Sequence, residues 1–315
     1  MSSSQPVALV IGASRGIGRQ IAIDLARSGY KVIVAAKTTS DAYAPGKPFP
    51  PDPNSPHSTI NTVAREIVEA GGEAYALSVD VRHVGEVERL VIETARLSGG
   101  RLDVLVYNSG AIWWSSVAKT PTKRFQLMQR VNPEGLYAAV QAVLPVFERN
   151  GRRGRIVVVS PPIYSRFFRG KTAYAMGKVG MSVLTRGLAM DFERQDARSM
   201  AITSIWPAVS IESAATEMTT ANNESMKRDL RKPTIFSDAI LAILDSPAQK
   251  VNGLLTLDED FLRQHRGVTD FSRYSVVPGS SPRRIMPQEL PSLEVAEQDD
   301  EGNRMDSVKM RKAKL

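Results

Sequence analysis

Tyr174 and Lys178 stand four residues apart in Tyr174-Ala-Met-Gly-Lys178, inside a stretch whose pattern predicts a helix over 172–194. Positions i and i+4 share one helix face, so the phenol and the ammonium point the same way. A phenol with a pKa of about 10 is a poor proton donor or acceptor at neutral pH. A neighbouring ammonium favours phenolate and pulls that pKa down. Such a phenol can give a proton to a carbonyl oxygen or take one from an alcohol. The same spacing recurs in Tyr43-Ala-Pro-Gly-Lys47, but Pro45-Gly46 forbids a helix there and the side chains need not align. A second chemical signal is Gly12-Ala-Ser-Arg-Gly16-Ile-Gly18. It follows an apolar run and precedes a helical pattern. Glycines let the backbone turn tightly and approach a pyrophosphate, and the helix N-terminus offers free N–H groups and a positive dipole end.

These residues need a scaffold, and the chain alternates strand and helix patterns throughout. Strands are expected over 7–11, 31–36, 73–79, 102–107, 155–160, 200–206 and 253–257. Helices are expected over 17–28, 60–70, 84–98, 121–149, 172–194 and 235–246. Continuous apolar strands separated by helices imply right-handed crossovers. The expected fold is α/β: one doubly wound domain, a seven-stranded parallel sheet with helices on both faces. Two segments break the rhythm. Residues 38–58 hold six prolines, and so long a connection is functional or disordered. Residues 269–315 are polar and mixed in charge, which predicts a largely disordered tail behind a compact body of 1–268.

Composition removes several classes. The 315 residues, 42% hydrophobic and 23% charged, suit a globular chain with a sizeable core. The absence of cysteine excludes a disulfide framework, an iron–sulfur cluster and a thiol nucleophile. His57, His83 and His265 share no ligand spacing, so no metal site is expected. No apolar run is long enough to span a membrane, and the first residues lack the basic and apolar regions of a secretory signal. The net charge of +8 invites a nucleic-acid reading, but the bases are scattered. Such a surplus also suits phosphate-bearing small molecules, a nucleotide or a coenzyme A thioester among them.

The glycine spacing and the Tyr-x-x-x-Lys pair together resemble the short-chain dehydrogenase/reductase family. The resemblance implies a Rossmann-type domain and an oxidoreductase that moves a hydride between a nicotinamide cofactor and a carbonyl or secondary alcohol. It implies that Gly12, Ser14, Arg15, Gly16, Ile17 and Gly18 hold the pyrophosphate. It sets Asp80-Val81 against adenine, Asn108 after the fourth strand, and Pro207 after the sixth. It also implies a water-holding Asn132 and a Lys178 that holds the cofactor ribose beside the catalytic Tyr174. Departures are Ser109 and Ala208, where the family has Asn and Gly, and the serine position. The candidate, Ser160, lies fourteen rather than thirteen residues before Tyr174 and precedes Pro161-Pro162; its hydroxyl is expected to polarise the substrate oxygen, with Ser165 a weaker substitute. NAD-specific relatives place a carboxylate at the end of the second strand, whereas this chain has Lys37-Thr-Thr39 there and no acid before Asp41. Together with Arg15, Lys37 suits a 2′-phosphate, so NADP(H) is expected over NAD(H).

Ala35-Ala-Lys-Thr38, Thr120-Pro-Thr-Lys-Arg124, Ser160-Pro-Pro162 and Trp206-Pro207 resemble one branch of the family, the hydroxysteroid dehydrogenase-like protein 2 branch, without its sterol-carrier domain. That implies peroxisomal lipid metabolism. The final Ala313-Lys-Leu315 is a conservative variant of the Ser-Lys-Leu peroxisomal address, expected to engage the import receptor; the cytoplasm is the alternative location. Ile112-Trp113-Trp114 suggests an apolar, lipid-like or acyl thioester substrate, or else core packing. The family forms homodimers and homotetramers through helices that correspond to 121–149 and 172–194. An alternative is a protein that holds NADP(H) with little or no turnover. Nucleic acid is not an expected partner.

Overall fold

A computed structural model describes residues 5–44, 48–220, 223–296 and 307. One sheet of seven strands organises them, in the order β3-β2-β1-β4-β5-β6-β7, with every pair parallel. The strands are β1 (Val7–Ile11), β2 (Lys31–Ala36), β3 (Glu73–Ser78), β4 (Val104–Tyr107), β5 (Gly154–Val159), β6 (Met200–Trp206) and β7 (Leu255–Leu257). Their side chains alternate between two apolar cores. Val7, Leu9 and Ile11 of β1 face one core, with Leu136, Val143 and Phe147. Ala8 and Val10 face the other, with Ile21, Leu25, Phe236 and Ile240. Burial on both faces explains why β1, like β2, β4 and β5, reads as an apolar run.

The helices that bear on the site are α1 (Gly16–Arg27), α2 (Ile60–Glu69), α3 (Val84–Leu97), α4 (Thr122–Gln129), α5 (Gly135–Arg149), α6 (Thr172–Arg194) and α7 (Ala214–Thr220). Beyond them lie α8 (Thr234–Asp245), α9 (Ala248–Val251) and α10 (Asp258–Arg266). The long helix expected over 121–149 is two helices joined by a π-helical turn, Arg130–Glu134, with Pro133 inside it. Proline removes a helical N–H and crowds the preceding turn, so the regular ladder gives way there. From β1 the chain winds to β2 and β3, then crosses to β4 on the opposite side of β1. The carboxyl ends of β1 and β4 therefore flank the switch point, where such sheets open a crevice.

Both irregular segments make contacts with the body of the fold. In the proline-rich loop, Pro53 C=O accepts from Gly16 N–H at 3.0 Å and Ser58 Oγ donates to Ser14 C=O at 2.7 Å, so 53–58 lies against the glycine turn. In the expected tail, Phe271, Tyr274 and Met286 are buried. Arg231 donates to Glu259 Oε1 at 2.9 Å, to Phe271 C=O at 2.8 Å and to Ser275 Oγ at 3.0 Å. Arg284 meets both oxygens of Asp260 at 2.7 Å. A few widely spaced apolar anchors and paired arginines hold 271–286, which a polar composition conceals. The C-terminal Ala313-Lys-Leu315 lies outside the described residues.

Candidate active site

The crevice at the ends of β1 and β4 encloses about 420 Å³. Its lining joins Gly12, Ser14, Arg15, Gly16 and Ile17 to Asn108, Ser109, Gly110, Tyr174 and Lys178, with Ala36, Thr38, Ile112 and Trp206 beside them. The glycine turn and the Tyr–Lys pair, 162 residues apart in sequence by their Gly12 and Tyr174 ends, thus share one cavity.

The glycine turn is built for close backbone approach. Gly12 has φ +91°, and a Cβ there would fall 2.6 Å from Ser109 N. A Cβ on Gly18 would fall 2.1 Å from Gly12 O and 2.5 Å from Asn108 Nδ2. Asn108 Nδ2 donates to Gly12 C=O at 2.9 Å, so this side chain braces the turn from β4. A cradle that side chains would fill, opening at the start of α1, fits a dinucleotide pyrophosphate held by Gly12, Ser14, Arg15, Gly16 and Ile17. Gly18 stands behind that lining and permits the turn.

On α6, Tyr174 and Lys178 are both buried. Lys178 Nζ donates to Val159 C=O at 2.8 Å and lies 5.5 Å from the centre of the Trp206 ring. A Cβ on Gly110 would come within 3.3 Å of Lys178 Nζ, so the loop after β4 passes close to the tip of the lysine. Burial pulls the lysine ammonium down to about 7 and pushes the Tyr174 phenol up. Burial thus opposes both charged forms, while a neighbouring ammonium favours phenolate. Trp114 stands edge-on to Tyr174 with ring centres 6.2 Å apart, and Phe167 packs against it at 6.3 Å.

Asn132 sits in the π-helical turn, fully buried. Its Oδ1 accepts from Ala111 N–H at 2.8 Å and its Nδ2 donates to Ala111 C=O at 3.1 Å. It therefore fixes the loop after β4 from behind the cavity wall.

Ser160 departs from its expected orientation. It follows β5 and is completely buried, with Oγ 2.8 Å from Ser204 Oγ and accepting from Ser182 Oγ at 2.9 Å. Ser182 Oγ also donates to Pro161 C=O at 2.6 Å. The three hydroxyls satisfy one another, and Ser160 is not part of the cavity lining. Ser165, the weaker substitute, is exposed at the start of the 3-10 turn Ser165–Phe168. Sequence reasoning missed Ser182, although it lies four residues beyond Lys178 on the same face of α6.

Lys37 and Asp80 were assigned separately and meet as an ion pair at 3.2 Å. Arg82 is the stronger partner of Asp80, and together with Lys37 it holds that carboxyl below the usual carboxylate range. Lys37 adjoins the lining residues Ala36 and Thr38, and its side chain is largely exposed. Val81 is buried behind Gly135, and Pro207 follows Trp206 at the end of β6. Also unanticipated were Ser213, Ala214 and Ala215, which bring the start of α7 to the cavity. The decoy Tyr43 lies elsewhere, beneath the Arg65 guanidinium, and Lys47 is outside the described residues.

Comparison with known proteins agrees with this geometry. A short chain dehydrogenase family model matches residues 6–47 and 54–226. Hydroxysteroid dehydrogenase-like protein 2 of Danio rerio is 35% identical over 272 residues, covering 86% of this chain and 60% of that protein. The protein of the same name from Homo sapiens is 33% identical over 276 residues, with the same two shares of 86% and 60%. The chain thus spans about 60% of the length of those relatives. A crystal structure of a short chain dehydrogenase from Mycobacterium thermoresistibile is 35% identical, with a TM-score of 0.76, covering 90% of this chain and 95% of that one. With the parallel sheet, the glycine turn and Tyr174 and Lys178 in one crevice, the chain belongs to the short chain dehydrogenase family.

Proposed function

We propose that this chain is an NADP(H)-dependent oxidoreductase whose substrate is a carbonyl or secondary alcohol on an apolar, lipid-like or acyl thioester body. The observation that carries the reading is the meeting of Tyr174, Lys178 and the glycine turn in one cavity. A bound nicotinamide would supply or take the hydride. Tyr174 gives a proton to the carbonyl oxygen, or takes it from the alcohol. Lys178 holds the cofactor ribose and favours the phenolate. Asn132 holds the wall through Ala111. Arg15 and Lys37 hold the 2′-phosphate, with Asp80 and Val81 at the adenine end. Ile112, Trp206 and the Phe167 cluster give the substrate side an apolar lining. NADPH oxidation against a panel of ketones, aldehydes and 3-ketoacyl thioesters tests the reading.

The Ser160 orientation favours a second reading, a protein that holds NADP(H) with little or no turnover. With that hydroxyl turned to Ser182 and Ser204, Ser160 does not polarise the substrate oxygen. NADPH binding without turnover of any carbonyl would favour it. Self-association as a homodimer or homotetramer through α5 and α6 is part of the proposal; Tyr137, Met176 and Val183 expose apolar surface on those helices. Peroxisomal location through Ala313-Lys-Leu315 is proposed on the sequence alone.

A further inference from the structure

The loop after β4 and the turn before α6 carry a concentration of unpaired positive charge. Residues 111–133 and 161–190 contain no aspartate or glutamate. Lys119, Lys123, Arg124, Arg166, Arg169 and Lys171 fall in these two stretches, and among the described residues none of them pairs with a carboxylate. Arginines elsewhere do pair, as in Arg65–Glu69, Arg96–Glu93 and Arg284–Asp260. Two of the six cations sit on the tryptophans beside the cavity. The Arg124 guanidinium lies 4.7 Å from the centre of the Trp113 ring. Lys171 Nζ lies 5.7 Å from that of Trp114 and 4.0 Å from that of Phe167. Burial pulls the Lys171 ammonium down without a carboxylate to offset it. Trp114, Ile112 and Phe168 are exposed between the charges, and Trp114 leads edge-on to Tyr174. Aromatic faces hold a cation in place but leave its net charge free for an anion.

Resting on the oxidoreductase reading, we propose that this collar binds the phosphate-bearing handle of an acyl thioester of the coenzyme A class, whose acyl chain passes Trp114 toward Tyr174. A single carboxylate would need one cation. Several bases interleaved with exposed aromatic surface match a polyanion carrying an adenine ring and an apolar chain.

The test uses the full chain saturated with NADPH, so that coenzyme A cannot occupy the dinucleotide crevice. Coenzyme A binding is measured by calorimetry for the wild type and for Arg124→Gln/Lys171→Gln. Turnover is compared on a 3-ketoacyl coenzyme A and on its N-acetylcysteamine thioester, which lacks the handle. The wild type should bind coenzyme A and favour the full thioester by about tenfold or more in kcat/KM. The double variant should lose both advantages, while its KM for NADPH and its turnover of the N-acetylcysteamine thioester stay at wild-type values. Equal coenzyme A binding by variant and wild type would overturn the proposal. So would equal use of the two thioesters, or charge-dependent binding to anionic phosphatidylglycerol vesicles with none to coenzyme A. A wild type that binds coenzyme A through Arg124 and Lys171 but reduces no carbonyl supports the collar and overturns the oxidoreductase reading instead.

Discussion

Lys37 follows β2 and Asp80 follows β3, yet their side chains meet at 3.2 Å beside the lining residues Ala36 and Thr38. That corner sets the expected cofactor preference. Lys37→Asp replaces attraction by repulsion at a 2′-phosphate and leaves Asp80 with Arg82. It should weaken NADPH binding by about tenfold or more and leave NADH binding little changed; titration of both cofactors by fluorescence checks this, and an equal loss for both would remove Lys37 as the discriminator. At this scale the sequence was legible where the geometry is local. Tyr174 and Lys178 share a helix face by spacing alone, and the glycine turn follows from its strand and helix neighbours. The direction of the Ser160 hydroxyl was not legible. It is set by Ser182 and Ser204, 22 and 44 residues away, which no local pattern couples to it.

The edge strand β3 is only partly buried, but β1, β2, β4 and β5 were legible as apolar runs, because burial on both faces leaves little room for polar residues. The segment 271–286 was not, since three buried apolar residues and two paired arginines carry its anchoring. The Arg231–Glu259 pair is nearly excluded from solvent. Arg231→Met leaves Glu259 buried without its partner and should lower stability by about 3–5 kcal/mol in denaturant unfolding. A loss below about 1 kcal/mol would mean that this pair does not anchor the segment. Asp258, at the start of α10, gives a pH signature. Its Oδ1 accepts from Ala208 and Glu259 N–H, Oδ2 is buried without a partner, and burial pushes the carboxyl up to about 7. The folded state therefore keeps the proton longer than the unfolded chain. This contribution is fully present below the ordinary pKa of 3.8 and is lost as pH rises to about 7. Asp258→Asn should flatten that decline in a series of melts; an unchanged slope would show that another group causes it.

For the molecule as a whole, the cofactor turn and the Tyr–Lys pair converge on one edge of a single sheet, at the carboxyl ends of its strands, with Arg124 and Lys171 on the tryptophans beside them. Where the molecule resides is a separate matter. Deleting Ala313-Lys-Leu315 should leave stability unchanged and shift a tagged chain from peroxisomes to the cytosol; an intact chain that stays diffuse in import-competent cells would contradict the address. The central claim is that this fold positions Tyr174 to transfer a proton at a carbonyl. Its most direct test is NADPH oxidation by wild type and Tyr174→Phe on the best carbonyl substrate of the panel, with NADPH affinity measured in parallel. Removing one hydroxyl should cut turnover by about 10²–10⁴-fold and leave NADPH affinity unchanged. A Tyr174→Phe variant as active as wild type, or a wild type that binds NADPH and reduces no carbonyl, would contradict it.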